Sequence, residues 1–357
     1  YAPVCVRCQA LLAAHGDDLP VAWRHRDDRY TEKLATPDTS VGDLIGDVDP
    51  VKVAQGRTLG DPETVHYGLV PRANRGLFGL NELPDLAERI QVALFNVLEE
   101  RDIQVRGYSL RLPLDLFLVA TANPEDYTNR GRIITPLKDR FGAEIRTHYP
   151  ILLTDEIAVI EQEADLTAVV PPHVLEVLAR FTRLLRESPS VDQRSGVSAR
   201  FAVAAAETVG AAAVHRAAVL GEADPVARPV DTQTIVDVLR GKVEFESGEE
   251  GREIEVLNHL LRRATADTAR DSLGGIDLSP LVTAVEQGEP VITGDRVTAK
   301  VLLNELPDLP VIDEIAERLG ATSDGERAAA VELALEGLYL ARRIGKDTGD
   351  DGQTVYS

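Results

Sequence analysis

Two short apolar runs in this sequence end in polar side chains suited to phosphate chemistry. One is Leu77-Phe78-Gly79-Leu80-Asn81-Glu82; the other is Leu116-Phe117-Leu118-Val119-Ala120-Thr121, followed by Ala122-Asn123-Pro124. In phosphate-hydrolysing enzymes a hydrophobic strand often ends in two acids, the first binding the Mg2+ shell and a Glu polarising the attacking water. Here Asn81 stands in the first position. Its amide oxygen can accept from a metal-bound water, so it would hold Mg2+ through that water, but it adds no negative charge. Asn123 would orient water or read a terminal phosphate. By residue type alone, Asn81, Glu82 and Asn123 fit ordinary loop positions at strand ends at least as well.

A second pattern is Cys5-x-x-Cys8. Two thiolates at this spacing suit Zn2+, although a structural zinc site takes four ligands. His15 and His25 could complete the set. The same spacing also suits a redox pair at a helix start, or two cysteines with no shared chemistry.

The elements that would carry these residues are legible in outline. Continuously apolar runs such as 77–80 and 116–121 read as strands buried on both faces, as in a parallel sheet. Between them Leu86, Ile90, Leu94 and Val97 fall on one helical face within Asp85 to Glu100. Arg101 to Pro113 alternates polar and apolar residues around Gly107, a hairpin pattern. Strand, helix, hairpin, strand predicts an α/β core over residues 1–150. From 151 to 243 the spacing is helical. Thr154 is the expected N-cap of a helix with Asp155 and Glu156 in its first turn. Val174, Val177, Leu178, Phe181 and Leu185 form an apolar stripe, and two more helices are expected over Ser198 to Leu220 and Thr232 to Leu239. The acidic stretch Glu244 to Glu255 is the expected linker to a further helical domain over 256–357, which ends in a helix over Glu326 to Ile344 and a loose tail from Gly345 to Ser357. Leu-Asn-Glu-Leu-Pro-Asp-Leu occurs at both Leu80 to Leu86 and Leu303 to Leu309, with no repeat around it.

Composition narrows the function classes. The 357 residues carry 59 acidic and 38 basic side chains, a net charge of −21, which argues against a non-specific nucleic-acid binder. At 44% apolar, the chain can bury two or three domain cores. No apolar run reaches the roughly 18 residues needed to span a bilayer; the closest, Phe201 to Leu220, contains Glu207, His215 and Arg216 and reads as a buried helix. Two cysteines fit a reducing, cytoplasmic setting. There is no Met, position 1 included, so the sequence reads as a fragment lacking its start.

From about Leu34 to Arg200 the chain resembles the AAA+ ATPases of the magnesium-chelatase I-subunit and MoxR group. Leu44-Ile45-Gly46-Asp47-Val48-Asp49 is similar to the segment before that family's helix insertion, and Arg72-Ala73-Asn74-Arg75-Gly76 to the run before its Walker B strand. Through this resemblance Glu82 matches the catalytic Glu, and Asn81 replaces the usual Asp. Arg101 to Pro113 matches the hairpin before sensor 1, and Ala122-Asn123-Pro124 matches sensor 1 itself. Leu137-Lys138-Asp139-Arg140-Phe141 is similar to the motif whose Arg acts as a finger on the neighbouring subunit's nucleotide. Gly196-Val197-Ser198-Ala199-Arg200 matches sensor 2 at the start of a lid helix. As bland alternatives, Arg140 would be an ion-pair member and Arg200 a helix-end residue; Arg194 competes with Arg200.

The resemblance implies an AAA+ parallel-sheet core with a helical lid, ATP and Mg2+ as cofactors, and a ring, hexameric in the family. It further implies remodelling of a partner with a von Willebrand A-type domain, in metal insertion or metalloprotein maturation. The final domain would bind that partner or stabilise the ring. One departure is plain: Gly-x-x-x-x-Gly-Lys-Ser/Thr is absent, and the only Gly-Lys pairs, Gly241-Lys242 and Gly345-Lys346, lack its other residues. That loop cradles phosphates with backbone N–H groups, so the chain alone is expected to bind ATP poorly and to be inactive. A catalytically degenerate scaffold or regulatory subunit is the alternative. A sigma-54-type activator is disfavoured, because Gly-Ala-Phe-Thr-Gly-Ala does not occur.

Overall fold

The computed structural model describes residues 3, 5–58, 64–100, 103–105, 108–110, 114–123, 132–288, 290–306, 308–349 and 353–357. The chain divides into two compact units, Tyr1–Arg146 and Thr147–Ser357.

In the first unit, both apolar runs are strands. Leu77–Asn81 lies in the middle of a parallel three-stranded sheet, between Tyr30–Leu34 and Phe117–Ala120. The helix Glu88–Glu99 follows the central strand after a 3-10 turn, Leu83–Asp85. Strand residues Phe78 and Leu80 face Ile90, Leu94 and Val97 in one core, joined by Ile103, Val105 and Leu137. Ile103–Val105 and Tyr108–Leu110 pair antiparallel, as the alternation predicts. The opposite face of the sheet departs from expectation: Tyr30, Leu34, Leu77, Phe117 and Val119 are all exposed. Only one face is covered by described residues, because the apolar stripe of Glu88–Glu99 serves one side.

The starts of the strands are tied by the run Arg72 to Gly76. Asn74 Oδ1 accepts from Asp115 N at 2.8 Å, and the Arg29 Nε donates to the Arg75 carbonyl at 2.8 Å. Arg75 takes a left-handed backbone (φ 62°). A side chain at Gly76 would collide with the Arg29 carbonyl, so only glycine lets these segments cross.

The second unit contains two apolar clusters. The first gathers Leu153–Glu163, Pro172–Glu187, Ala199–Leu220, Thr234–Leu239 and Glu253–Ser272. The stripe of Val174, Val177, Leu178, Phe181 and Leu185 is buried in it as predicted. Ala199–Leu220 is long and apolar enough to cross a membrane by length and composition. Its inner face nevertheless packs in this core, and its Arg216 is buried against Asp231 at 3.0 Å. The second cluster gathers Ser279–Gln287, Ala299–Glu305, Pro310–Arg318 and Asp324–Leu340.

Several expectations are corrected here. Thr154 is not the N-cap of its helix; Leu152 is, and Thr154 sits inside the first turn. The stretch Glu244 to Glu255 is no free tether: Asp192 N donates to the Glu244 carbonyl, Glu246 N to the Ser190 carbonyl, and a helix begins at Glu253. The tail from Gly345 is ordered in part. Gln353–Tyr356 pairs antiparallel with Val291–Gly294 and with Lys346–Thr348, so the second cluster is not purely helical. Tyr356 explains why: its ring is buried and its hydroxyl donates to Glu336 at 2.7 Å, so the chain end is held by its one large side chain.

His173 is buried in the second unit, and burial lowers its pKa to about 4. An unfolded chain protonates histidine near 6.5. Between those values the unfolded state binds the proton and the folded state does not, so stability is whole above about 6.5 and declines as pH falls toward about 4. The expected loss is about 3 kcal/mol. Urea unfolding at pH 7 and pH 4.5 should show this slope, and His173→Leu should flatten it.

Candidate active site

The site is built where the two apolar strands end. Leu34 pairs with Asn81 and Leu80 with Ala120, so the tips of all three strands lie along one edge. In open parallel sheets ligands bind beyond the carboxyl ends of the strands, and Asn81, Glu82 and Asn123 all lie there.

Thr121 joins the tips. Its backbone N donates to the Leu80 carbonyl at 3.0 Å, and its carbonyl accepts from Leu83 N at 2.9 Å. Its hydroxyl accepts from Glu82 N at 3.1 Å and donates toward Asn81 Oδ1 at 3.4 Å. One residue therefore straddles Glu82 with four contacts. Glu82 itself sits in the left-handed region, φ 56° and ψ 49°. A non-glycine residue there costs about 1–3 kcal/mol and persists where its surroundings over-determine it. The left-handed step stops the strand and starts the turn Leu83–Asp85, with Asp85 N bonding the Glu82 carbonyl at 3.0 Å. Glu82 is half-buried at this corner, and Asn123, two residues past Thr121, is exposed. Pro124 lies outside the described residues.

Sequence reasoning missed Thr121 as a site residue. Its signal was positional: it is the first residue after the last paired position of the second apolar strand, and a Thr there carries a hydroxyl at the height of Asn81 and Glu82.

Arg140 is engaged elsewhere. Its Nε donates to Glu99 Oε2 at 2.7 Å, a terminal nitrogen reaches the same oxygen at 2.5 Å, and the other donates to the Pro136 carbonyl at 2.7 Å. The guanidinium lies 4.7 Å from the centre of the Phe95 ring. Its partners within its own chain are thus Glu99, Pro136 and Phe95, not Asn81, Glu82 or Asn123. The buried Gln91 sets its approach: Nε2 donates to the Leu86 and Arg132 carbonyls at 2.9 and 3.1 Å, and Oε1 accepts from Ile134 N at 3.0 Å. This pins the short helix Thr135–Lys138 to Glu88–Glu99.

Arg200 belongs to the second unit. It is exposed in the first turn of Ala199–Leu220, whose N-cap Ser198 accepts from Arg200 N at 3.2 Å. The competing Arg194 is also exposed. Cys5 and Cys8 lie on one exposed turn, with Cys8 N donating to Cys5 Sγ at 3.3 Å. Hydrogen bonding from Cys8 lowers the Cys5 thiol pKa, and the same contact raises that of Cys8. Among the described residues no three His, Cys, Asp or Glu side chains converge as metal ligands, so the zinc set expected with His15 and His25 is not assembled there.

Thr121→Val should remove the acceptor of the Glu82 amide while keeping side-chain volume. Amide exchange at Glu82 should speed up, and the first unit should lose about 1 kcal/mol. Thr121→Ser should restore both, by hydrogen exchange and melting.

Residues 56–140 match the sequence pattern of the Sigma-54 interaction domain. The span holds the central strand, both tips and Arg140. It matches the type that the missing Gly-Ala-Phe-Thr-Gly-Ala run argues against, so that expectation is corrected: the likeness exists without that run. No curated protein matches the chain. Solved structures that are similar include a candidate ATPase from Cytophaga hutchinsonii, at 16% identity, covering 65% of this chain and 76% of its own, with a TM-score of 0.28. NtrX from Brucella abortus is similar at 15% identity, covering 69% of this chain and 53% of its own, with a TM-score of 0.38. The same NtrX in complex with ADP has 15% identity, covers 72% of this chain and 57% of its own, and has a TM-score of 0.37. This chain therefore spans little more than half of either NtrX chain, and likenesses of this size carry no weight for function. The parallel strand order and the matched segment together give the first unit the α/β fold class of the AAA+ ATPases, the family of the Sigma-54 interaction domain.

Proposed function

We propose that this chain provides the water-activating edge and the trans-acting arginine of a Mg2+-dependent AAA+ ATPase that works in the cytoplasm as a ring. The observation that carries this is the left-handed Glu82, held by Thr121 at the carboxyl edge of a parallel sheet. A strained carboxylate at that edge, with an amide on either strand tip, fits water activation beside a phosphate. In this reading Glu82 polarises the attacking water, Asn81 holds a water of the Mg2+ shell, and Asn123 reads the terminal phosphate. Arg140 offsets charge on the nucleotide of a neighbouring copy. When bound, Mg2+ and ATP would supply the electrophile and its charge neutralisation. The residues at the tips fit that use. The phosphate cradle itself has no counterpart in this sequence, since Gly-x-x-x-x-Gly-Lys-Ser/Thr does not occur in it.

The work done by turnover is proposed to be remodelling of a partner protein. The MoxR-like resemblance suggests a von Willebrand A-type domain, in metal insertion or metalloprotein maturation. The match at 56–140 makes a sigma-54 factor the competing partner, and direct binding to each decides between them. A catalytically silent scaffold is the second reading, favoured by the uncharged Asn81.

The test uses protein from the whole reading frame, with Mg2+ and ATP over a range of protein concentrations. Glu82→Gln should abolish steady-state hydrolysis while nucleotide binding survives. Arg140→Ala should lower turnover by about a thousandfold. Mixing the two variants should restore part of it, because Glu82→Gln copies still offer Arg140 to their neighbours. Neither turnover nor nucleotide binding in the unaltered protein would establish the scaffold reading instead.

A further inference from the structure

We propose that Glu99 parks Arg140 inside its own chain, so that the arginine reaches a neighbour's nucleotide only by exchanging one anionic partner for another. This rests on the reading of Arg140 as a trans-acting residue and adds its regulation.

All three guanidinium nitrogens are engaged, through three of its five N–H groups. Nε and one terminal nitrogen converge on a single Glu99 oxygen, and the other terminal nitrogen bonds the Pro136 carbonyl. A phosphate held bidentately takes the same fork of Nε and terminal nitrogen, so it competes with Glu99 for that fork. Glu99 also stands where an isolated helix would not favour it. It is the last residue of Glu88–Glu99, whose final turn carries no basic residue, and the helix dipole there is unfavourable for an acid. Arg140 supplies the missing positive charge. The pairing is prebuilt, because Gln91 fastens the segment ahead of Arg140 to that same helix.

The latch is also weak enough to open. The Arg140 and Glu99 side chains are 29% and 55% exposed, and exposed ion pairs are weak and screened by salt. The phosphates of a nucleotide carry more charge than one carboxylate. A neighbouring copy that presents them displaces Glu99, and a lone chain keeps its arginine folded away.

Two measurements test this. In the first, turnover of the whole-reading-frame protein is followed against protein concentration. Glu99→Gln should reach half-maximal specific activity at a concentration about two- to fivefold lower. It should also respond less to added NaCl. Arg140→Ala and the Glu99→Gln/Arg140→Ala double variant should be equally inactive. An unchanged or higher midpoint in Glu99→Gln, with Arg140→Ala inactive, overturns the latch and leaves the trans-acting role standing. Full turnover in Arg140→Ala overturns that role itself. In the second, which needs no turnover, the Arg140 Nε–H is observed by NMR at low salt and assigned by its loss in Arg140→Lys. A slowly exchanging signal that collapses in Glu99→Gln is expected; a fast-exchanging signal in the unaltered protein overturns the latch.

Discussion

Parallel strands have no tight turn between them, so contacts between residues far apart in the chain must set their register. In the first unit that task falls at the tips to Thr121. Its backbone adds two bonds past the last paired residues of Phe117–Ala120 and Leu77–Asn81, to the Leu80 carbonyl and from the Leu83 amide, and its hydroxyl reaches the Glu82 amide. Together with the Asp85 amide on the Glu82 carbonyl, it offsets the cost of a left-handed Glu82. The direction of the carboxylate, the start of the turn Leu83–Asp85, and the entry into Glu88–Glu99 all follow from that corner. The helix then carries Gln91, which positions the segment before Arg140, and Glu99, which holds Arg140. Hydrogen bonds thus link Glu82, through the turn and Gln91, to the segment that carries Arg140.

The second unit solves a different problem, which is to keep charge inside a mostly apolar, alanine-rich packing. Glu156 and Arg186 are both buried and meet at 2.7 Å, while Arg186 stacks 4.0 Å from the centre of the Tyr149 ring. Arg216 bonds Asp231 and Glu222. Arg228, wholly buried, donates to the Val297 and Gly294 carbonyls at 2.8 and 2.7 Å and pairs with Glu332 at 3.2 Å. Burial raises the pKa of the Glu332 carboxyl, and the Arg228 charge works against that rise. Such pairs add little net stability when intact, but losing one partner leaves an uncompensated charge at about 3–5 kcal/mol. Their consequence is geometric: Arg228 ties the first cluster of this unit to the strand Val291–Gly294 of the second.

Much of this was legible in residue order. The two apolar runs, the amphipathic face of Leu86, Ile90, Leu94 and Val97, and the alternation before Pro113 became strand, helix and hairpin because each pattern has one period and one way to bury it. The left-handed turn at Glu82 was not legible, since no glycine marks it. The ordered tail was hidden for a similar reason: a polar stretch that ends in one aromatic reads as loose until Val291–Gly294 pairs with it and Glu336 accepts the Tyr356 hydroxyl.

Residue types and their order alone determined that the two apolar strands end in Asn81-Glu82 and Thr121-Ala122-Asn123, and that Asn81 carries no charge. They also determined that the first unit would be α/β, because hydrophobic period is a local property. Only the tertiary structure decided that Thr121 joins the two strand tips and that Arg140 faces Glu99 within its own chain. Those outcomes depend on hydrogen bonds between residues about 40 positions apart, whose geometry exists only once the strands have paired and the helix has docked.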